Sequence, residues 1–414
     1  MNTQHNAYRA KKIITLGREK QVQGRVALDA PLQALENAVL LTSSGRVAAV
    51  ETYAAYRRRA HQDIVLTDLG AVCMAPGLIN AHCHLELSYL AGKTTSGNGF
   101  AVWARSLLAA LQEPLSEDHG FEAQQRTLNG MLDAGAAHVG DVGSRHVPLT
   151  QQAARQAALE RAIPYPLTHF LEVLGAEPPN PEGALPKAIA ADGYAPLCAA
   201  TLPEDVLPHC AVAGHALYST VPEGLRAASA WCEERRRPFS LHLAESEEEQ
   251  ECLRRGTGML YDMLAESLLP SGWSAPGLGA VEYAERLGLL TPRTMAVHCV
   301  QCSDADIERL ARRKAAVCLC PRSNGYIGVG KAPAGAMADA GIVLCLGTDG
   351  LSSNRDVDMR GELAALRAEH GFSPRAALRI ATVNGAAVLG LPLLGTLDPG
   401  KAACFSLWDG DMFR

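Results

Sequence analysis

The chain has no basic block, and its 38 Lys and Arg are outnumbered by 44 Asp and Glu, for a formal charge of -6. A surface of that sign does not attract phosphate backbones, so nucleic-acid binding is not expected and a small-molecule substrate is. No segment approaches the roughly 20 uninterrupted apolar residues of a membrane span, and residues 1–17 lack the apolar core and cleavage site of a secretory leader. Internal repeats and low-complexity tracts are missing as well. With 48% hydrophobic and 20% charged residues the composition excludes disorder and suits a soluble globular protein. Twelve cysteines without a leader read as reduced thiols in a cytoplasm, so a cytoplasmic location is expected. The sequence does not specify an oligomeric state, and a homo-oligomer is compatible with it.

The 414 residues provide for one large core or two domains. Residues 8 to about 70 carry short strand-like runs, among them Ala38–Thr42 and Val47–Val50 around the turn Ser43-Ser44-Gly45-Arg46, a hairpin signal. The far C-terminus has the same texture, with Cys404–Trp408 as a strand. The two ends are expected to join in one small β-sandwich, residues 1–72 with 392–414. Between them, residues 73–391 alternate short apolar runs with helical stretches, the pattern of repeated β-α units. Eight runs can be counted: Gly77–His84, Ala136–Asp141, Tyr165–Glu172, Ala211–His215, Phe239–Leu243, Met295–Cys299, Ala316–Cys320 and Ile342–Asp349. They match an α/β fold, a (β/α)8 barrel of TIM type, with a doubly wound open sheet as the alternative. Residues 178–200, rich in Pro, Ala and Gly, read as an insertion. Glu245 to Glu251 load acid onto the start of a helix that Arg254-Arg255-Gly256 closes, and this charge cluster is expected to be a solvated face.

In such a barrel the chemistry gathers at the C-terminal ends of the strands. Those ends carry His82 and His84, His215, His242, His298 and Asp349. A buried histidine with a backbone partner accounts for any one of them, but packing does not produce five such strand ends together. Alternation along a strand puts His82 and His84 on one face. With His242 and Asp349 they supply the N and O donors that Zn²⁺ accepts, leaving a position for water. One divalent metal per chain is expected, Zn²⁺ before Fe²⁺. No Lys stands at the fourth strand end to bridge a second ion. Such an ion would lower the pKa of water from about 15.7 to about 7. Glu245, three residues past a ligand, is placed to carry protons, and His298 to hydrogen-bond the attacking oxygen. Their alternatives are a first-turn helix acid for Glu245 and a ligand role for His298. Cys299-x-x-Cys302 and Cys318-x-Cys320 could form a structural zinc site, but they fit better as buried barrel-strand ends.

Together these residues resemble the amidohydrolase superfamily, in particular its metal-dependent deaminases of aminated purines and related rings. The resemblance rests on Pro-Gly-Leu-Ile-Asn-Ala-His-Cys-His at 76–84, His-Leu-Ala-Glu at 242–245, Val-His-Cys at 297–299, Pro-Arg-Ser-Asn at 321–324, Gly-Thr-Asp-Gly-Leu-Ser-Ser-Asn at 347–354 and the terminal Gly-x-Leu-x-Pro-Gly-Lys at 395–401. It implies hydrolytic loss of ammonia from a heteroaromatic amine, with His215 contacting the substrate. His-Leu-Glu-Leu-Ser at 84–88, Gly-Phe-Ala-Val-Trp at 99–103 and Phe170–Gly175 look like the aminofutalosine deaminases of menaquinone biosynthesis. The methylthioadenosine and S-adenosylhomocysteine deaminases carry an Arg-Gly and acidic pair after the first strand, which is not found here. Two positions depart from the pattern, Cys404 where an Asp is usual and Gly350 where Ser is frequent. Phe100, Trp103, Arg145, Glu172, Tyr218 and Asn324 are candidates for the pocket wall, with barrel packing as the alternative for each. Two other activities compete: a hydrolase of the same superfamily acting on an amide, a urea-like ring or a chlorinated triazine, and a non-catalytic barrel.

Overall fold

A computed structural model describes residues 5–17, 25–59, 64–175, 188–190, 193–195, 207–265, 269 and 273–409. The N-terminal strands are β1 (His5–Ile14), β2 (Ala34–Ser43), β3 (Arg46–Thr52), β4 (Leu66–Asp68) and β5 (Val72–Pro76). β2 and β3 form the expected hairpin, with Ser43 opposite Arg46. Its two turn residues, Ser44 and Gly45, have φ of 49° and 73°, as a two-residue turn that follows strand twist requires.

The barrel strands come next. They are β6 (Leu78–Cys83), β7 (Ala136–Gly143) and β8 (Leu167–Val173) and, after the short pair β9 (Ala188–Ala190) and β10 (Gly193–Ala195), β11 (Cys210–Gly214), β12 (Phe239–Leu243), β13 (Thr294–His298), β14 (Ala316–Leu319) and β15 (Leu344–Leu346). All eight lie side by side in one sheet, in chain order and parallel. The ends meet where the amides of Thr348 and Asp349 both donate to the His82 carbonyl at 3.1 Å. The sheet is thus a nearly closed barrel, and the open-sheet alternative falls. The last strand, β16 (Phe405–Asp409), runs antiparallel to β5 and completes a six-stranded sheet in the order β16-β5-β1-β2-β3, with β4 alongside β1. Strands from both ends of the described chain therefore meet in one separate mixed sheet where the small β-sandwich is expected, packed around Ile13, Leu40, Val47, Met74 and Leu397.

The differences from expectation are local. The eighth strand is shorter than the run Ile342–Asp349 and ends at Leu346, and just beyond it Gly347 packs against the first strand: a Cβ there would lie 2.8 Å from both the Cβ and the carbonyl oxygen of His82. The acidic segment after β12 is a helix, Glu247–Arg255, capped by Ser246 and ended by Gly256 in the left-handed region. Its face is not all solvated, because Glu249 is buried and its carboxylate accepts the Glu245 amide at 2.7 Å. The insertion expected over 178–200 lies outside the described residues apart from β9 and β10. No helix among the described residues is long and apolar enough to cross a membrane.

Candidate active site

Each polar strand end is held in place by something specific. β6 brings His82 and His84 to the barrel mouth, their ring centroids 4.9 Å apart. Asp141, at the end of β7, accepts the Leu85 amide at 2.8 Å and so fixes the chain just beyond His84. His242 closes in from β12, its Nε2 3.3 Å from His84 Nε2. Asp349 Oδ1 stands 3.6 Å from the Nε2 atoms of both His82 and His84, while its Oδ2 accepts the Ser323 hydroxyl at 2.6 Å. His298 and Asp349 have φ of 71° and 57°. Non-glycine residues held there cost roughly 1–3 kcal/mol each, a strain concentrated at functional sites.

Two hydrogen bonds set the imidazoles. His242 Nδ1 donates to the His215 carbonyl at 2.8 Å, which leaves Nε2 as a lone-pair donor toward the site. His298 Nδ1 lies 3.0 Å from Asn324 Oδ1, and its Nε2 faces Glu245 at 3.6 Å. Burial keeps these rings neutral: it lowers His84 to about 3 and His298 and His215 to about 4, and holds His242 well below the imidazole range. Burial also lifts the Glu245 carboxyl well above the usual carboxylate range. For Asp349, burial alone would raise the pKa, yet His82, His84 and His298 hold it well below that range.

The donor set fits a divalent cation on an observation of its own. His82 is fully buried, and neither of its ring nitrogens has a hydrogen-bond partner. Leaving a buried polar group unpaired costs about 1–3 kcal/mol, and an ion shared with His84 and Asp349 would relieve it. Nitrogens bound about 2.0–2.1 Å from a tetrahedral ion lie about 3.3–3.4 Å apart, which is the spacing of His84 and His242. Among the described residues the groups with converging ligand atoms are His82–His84–Asp349, His82–His242–His298 and Glu172–His215–His242, and none of these contains a cysteine.

A cavity of about 190 Å³ opens over this floor, with His84, His215, His242, Glu245, His298 and Asp349 at its base. Trp103, Arg145, Glu172, Phe100 and Tyr218 line its sides. Trp103 donates its indole N–H to the Ser352 carbonyl at 2.9 Å. One Glu172 carboxylate oxygen is buried without a partner, and burial pushes that carboxyl up to about 8. One placement differs from a pocket-wall role: Asn324 stands behind His298, which it orients. Residue types and spacing gave no role to Asp141, Ser323 or Glu86. Ser323 and Glu86 lie inside quoted motifs, but only the folded geometry shows what they hold.

Residues 73–413 match the amidohydrolase family. The chain belongs to that family. A 5-methylthioadenosine/S-adenosylhomocysteine deaminase of Nitratidesulfovibrio vulgaris is 30% identical to this amidohydrolase over 402 residues, 93% of this chain and 82% of the relative. An aminodeoxyfutalosine deaminase of Deinococcus radiodurans is 35% identical over 161 residues, 37% of this chain and 38% of the relative. Among solved structures, a zinc-bound adenosine deaminase of Xanthomonas campestris superposes with a TM-score of 0.76 at 22% identity, covering 98% of this chain and 85% of that one. The aminofutalosine deaminase of Helicobacter pylori in complex with methylthio-coformycin gives 0.75 at 21% identity, covering 97% and 92%. At such identities these structures speak for the shared fold. The amidohydrolase is a hydrolytic deaminase by its family and relatives, and enzymes of this superfamily use a divalent metal.

Proposed function

We propose that this amidohydrolase removes the 6-amino group of an adenosine-type nucleoside as ammonia, with His82, His84, His242 and Asp349 holding one divalent cation, zinc before iron. The observation that carries the reading is the convergence of these four side chains, from three separated stretches of sequence, under a cavity that Glu245 and His298 also face. The cation, when bound, supplies the Lewis acidity that makes water a nucleophile at neutral pH. Glu245 takes a proton from the water attacking C6, delivers it to ring N1, and then carries the second proton to the departing amine. The C6–O bond forms as N1 takes the first proton, and the C6–N bond breaks once the second proton reaches the amine, so water and a 6-aminopurine become a 6-oxopurine and ammonia. His298, with Nδ1 committed to Asn324, accepts a hydrogen bond at Nε2 from the attacking oxygen. His215 is held at Nδ1 by the Ser219 hydroxyl at 2.5 Å, and it lines the cavity with Glu172, which supports the reading that these two contact the purine and ribose.

We infer aminodeoxyfutalosine as the substrate, placing the enzyme in menaquinone biosynthesis, on the run His84–Ser88 and the Deinococcus relative. A second reading, methylthioadenosine or S-adenosylhomocysteine, draws on the relative aligned over nearly the whole chain. The experiment is a screen of metal-loaded protein against aminodeoxyfutalosine, methylthioadenosine, S-adenosylhomocysteine and adenosine, following ammonia and the purine absorbance change. Ammonia from at least one nucleoside is expected. Inactivity on all four, with amide ring opening or chloride release from a triazine, would overturn the proposal.

A further inference from the structure

The cavity and its floor make no use of the spacing Cys299-x-x-Cys302. Neither thiol belongs to a group of converging ligand atoms among the described residues, so the pair is not a zinc site. It lies directly after His298, the last residue of β13. Val300 and Gln301 form a turn, and the two cysteines stand at its ends. The ends of a four-residue turn lie within about 7 Å, Cα to Cα, and a disulfide spans about 4.4–6.8 Å. The thiols also face each other: the Cys302 thiol, and after it burial, lifts Cys299 well above the usual thiol range.

Exposure gives the two sulfurs different parts. Cys299 is fully buried and Cys302 half-buried. Among the described cysteines only Cys302 and Cys404 are not buried, and burial alone raises Cys404, to about 11, with no neighbouring thiol contributing. An accessible thiol beside a buried one is the arrangement of an attacking and a resolving cysteine.

The turn is tied to both groups that face the cavity from this side. The Cys299 amide donates to the Leu243 carbonyl at 3.0 Å and the Gln301 amide to the Ala244 carbonyl at 2.8 Å, the two residues before Glu245. His298 and Cys299 both sit in the left-handed region, with φ of 71° and 49°. Drawing the sulfurs together has to move the backbone at this strained pair, and the His298 ring moves with it.

We propose that Cys299 and Cys302 are an oxidative modification site, at which a peroxide closes a disulfide that displaces His298 and slows the enzyme. The loss of turnover rests on the deaminase reading above, and the disulfide does not. The Cys302 sulfur attacks one peroxide oxygen, the O–O bond breaks, and the other oxygen leaves as water with the thiol proton. The Cys299 sulfur then attacks the Cys302 sulfenic acid. The S–S bond forms, the S–O bond breaks, and the hydroxyl departs as a second water with the Cys299 proton. Two thiols are oxidised and one peroxide is reduced, and a dithiol reductant reverses the bridge.

The test exposes zinc-loaded protein to hydrogen peroxide, blocks the remaining thiols with iodoacetamide and reads the tryptic peptide 294–309 by mass spectrometry. That peptide should lose two hydrogens and carry no label on either cysteine. In the same samples kcat on the nucleoside should fall about 10- to 100-fold with metal content unchanged, and dithiothreitol should restore both readouts. Cys302→Ser should keep kcat within about threefold under the same peroxide, whereas Cys404→Ser should respond as wild type does. A peptide labelled on both thiols, or Cys302 carried to sulfinic acid without a bridge, overturns the proposal. So does a bridged enzyme with unaltered kcat, a fall in kcat matched by lost metal, or equal peroxide sensitivity in Cys302→Ser. If no nucleoside is deaminated, it is the deaminase reading that fails, and the peptide masses alone decide the modification site.

Discussion

Replacing Glu245 by Gln separates proton transfer from everything else the site does. The side chain is buried and nearly isosteric with glutamine, and it is absent from the four groups proposed to hold the cation. Its carboxylate lies 3.6 Å from His298 Nε2, outside hydrogen-bond range, so the change breaks no hydrogen bond of that carboxylate among the described residues. The anchoring bond from the Glu245 amide to Glu249 involves backbone and remains. What disappears is a group able to accept and return a proton, and positioned acid–base catalysis contributes about 10²- to 10⁴-fold. At 1.36 kcal/mol per decade that is about 2.7–5.4 kcal/mol on the barrier. The expected result is a kcat lower by about two to four orders of magnitude, with KM and metal content close to wild type. Coupled ammonia release gives kcat, and plasma mass spectrometry gives metal per chain. A kcat within about threefold of wild type, with metal retained, would refute the role of Glu245 as proton carrier.

Three further outcomes follow from the geometry. Asp349→Ala removes the carboxylate 3.6 Å from two imidazoles and should lose most of its metal on dialysis against a chelator that leaves wild type loaded; equal retention would mean the ligand set is wrong. Gly347→Ala puts a Cβ 2.8 Å from His82 and 3.0 Å from Cys318 Sγ and should cost about 1–3 kcal/mol by overpacking, read as a lower urea midpoint together with reduced metal content; an unchanged midpoint would show that the barrel seam yields. His138, outside the site and 2.9 Å from the Thr168 hydroxyl, is lowered by burial from 6.5 to about 3. Between those values the unfolded chain binds a proton that the folded chain refuses, so this histidine makes stability fall as pH drops through that window, by about 1.4 kcal/mol per pH unit. His138→Gln should therefore flatten the pH dependence of chelator-treated protein between pH 6 and 4.5 in urea unfolding, and an unaltered slope would contradict the assignment.

The barrel could be read from sequence because its strands are short apolar runs that end in polar residues of unusual kind, and periodicity and composition both report that. All eight expected runs are strands. The hairpin at Ser44-Gly45 was legible for the same reason, since the turn demands residues that tolerate positive φ. Less could be seen of what holds the polar ends still. Asp141 carries the Leu85 amide across 56 positions of sequence, and Ser323 reaches Asp349 across 26. Such pairings depend on which strands become neighbours, and local pattern does not encode that. Glu249 shows the limit from the other side. Among three acids in one helical turn its place in a charge cluster suggests a solvated face, but the barrel buries it as an acceptor for the Glu245 amide. Asn324, in the Pro-Arg-Ser-Asn motif after the seventh strand, is a pocket-wall candidate by sequence, and it stands one layer further back, in the helix Pro321–Ile327 behind His298.

The central claim is that imidazoles of His82, His84 and His242 share one cation with the Asp349 carboxylate. X-ray absorption at the metal edge, on protein purified with its native ion and quantified per chain, tests it most directly. The account predicts about one ion per chain in a shell of nitrogen and oxygen at about 2.0–2.2 Å, with the outer-ring scattering of imidazole and no sulfur. A shell containing sulfur at about 2.3 Å would move the ion to the cysteines, and no stoichiometric ion at all would leave the site without its chemistry. Either result would contradict the account.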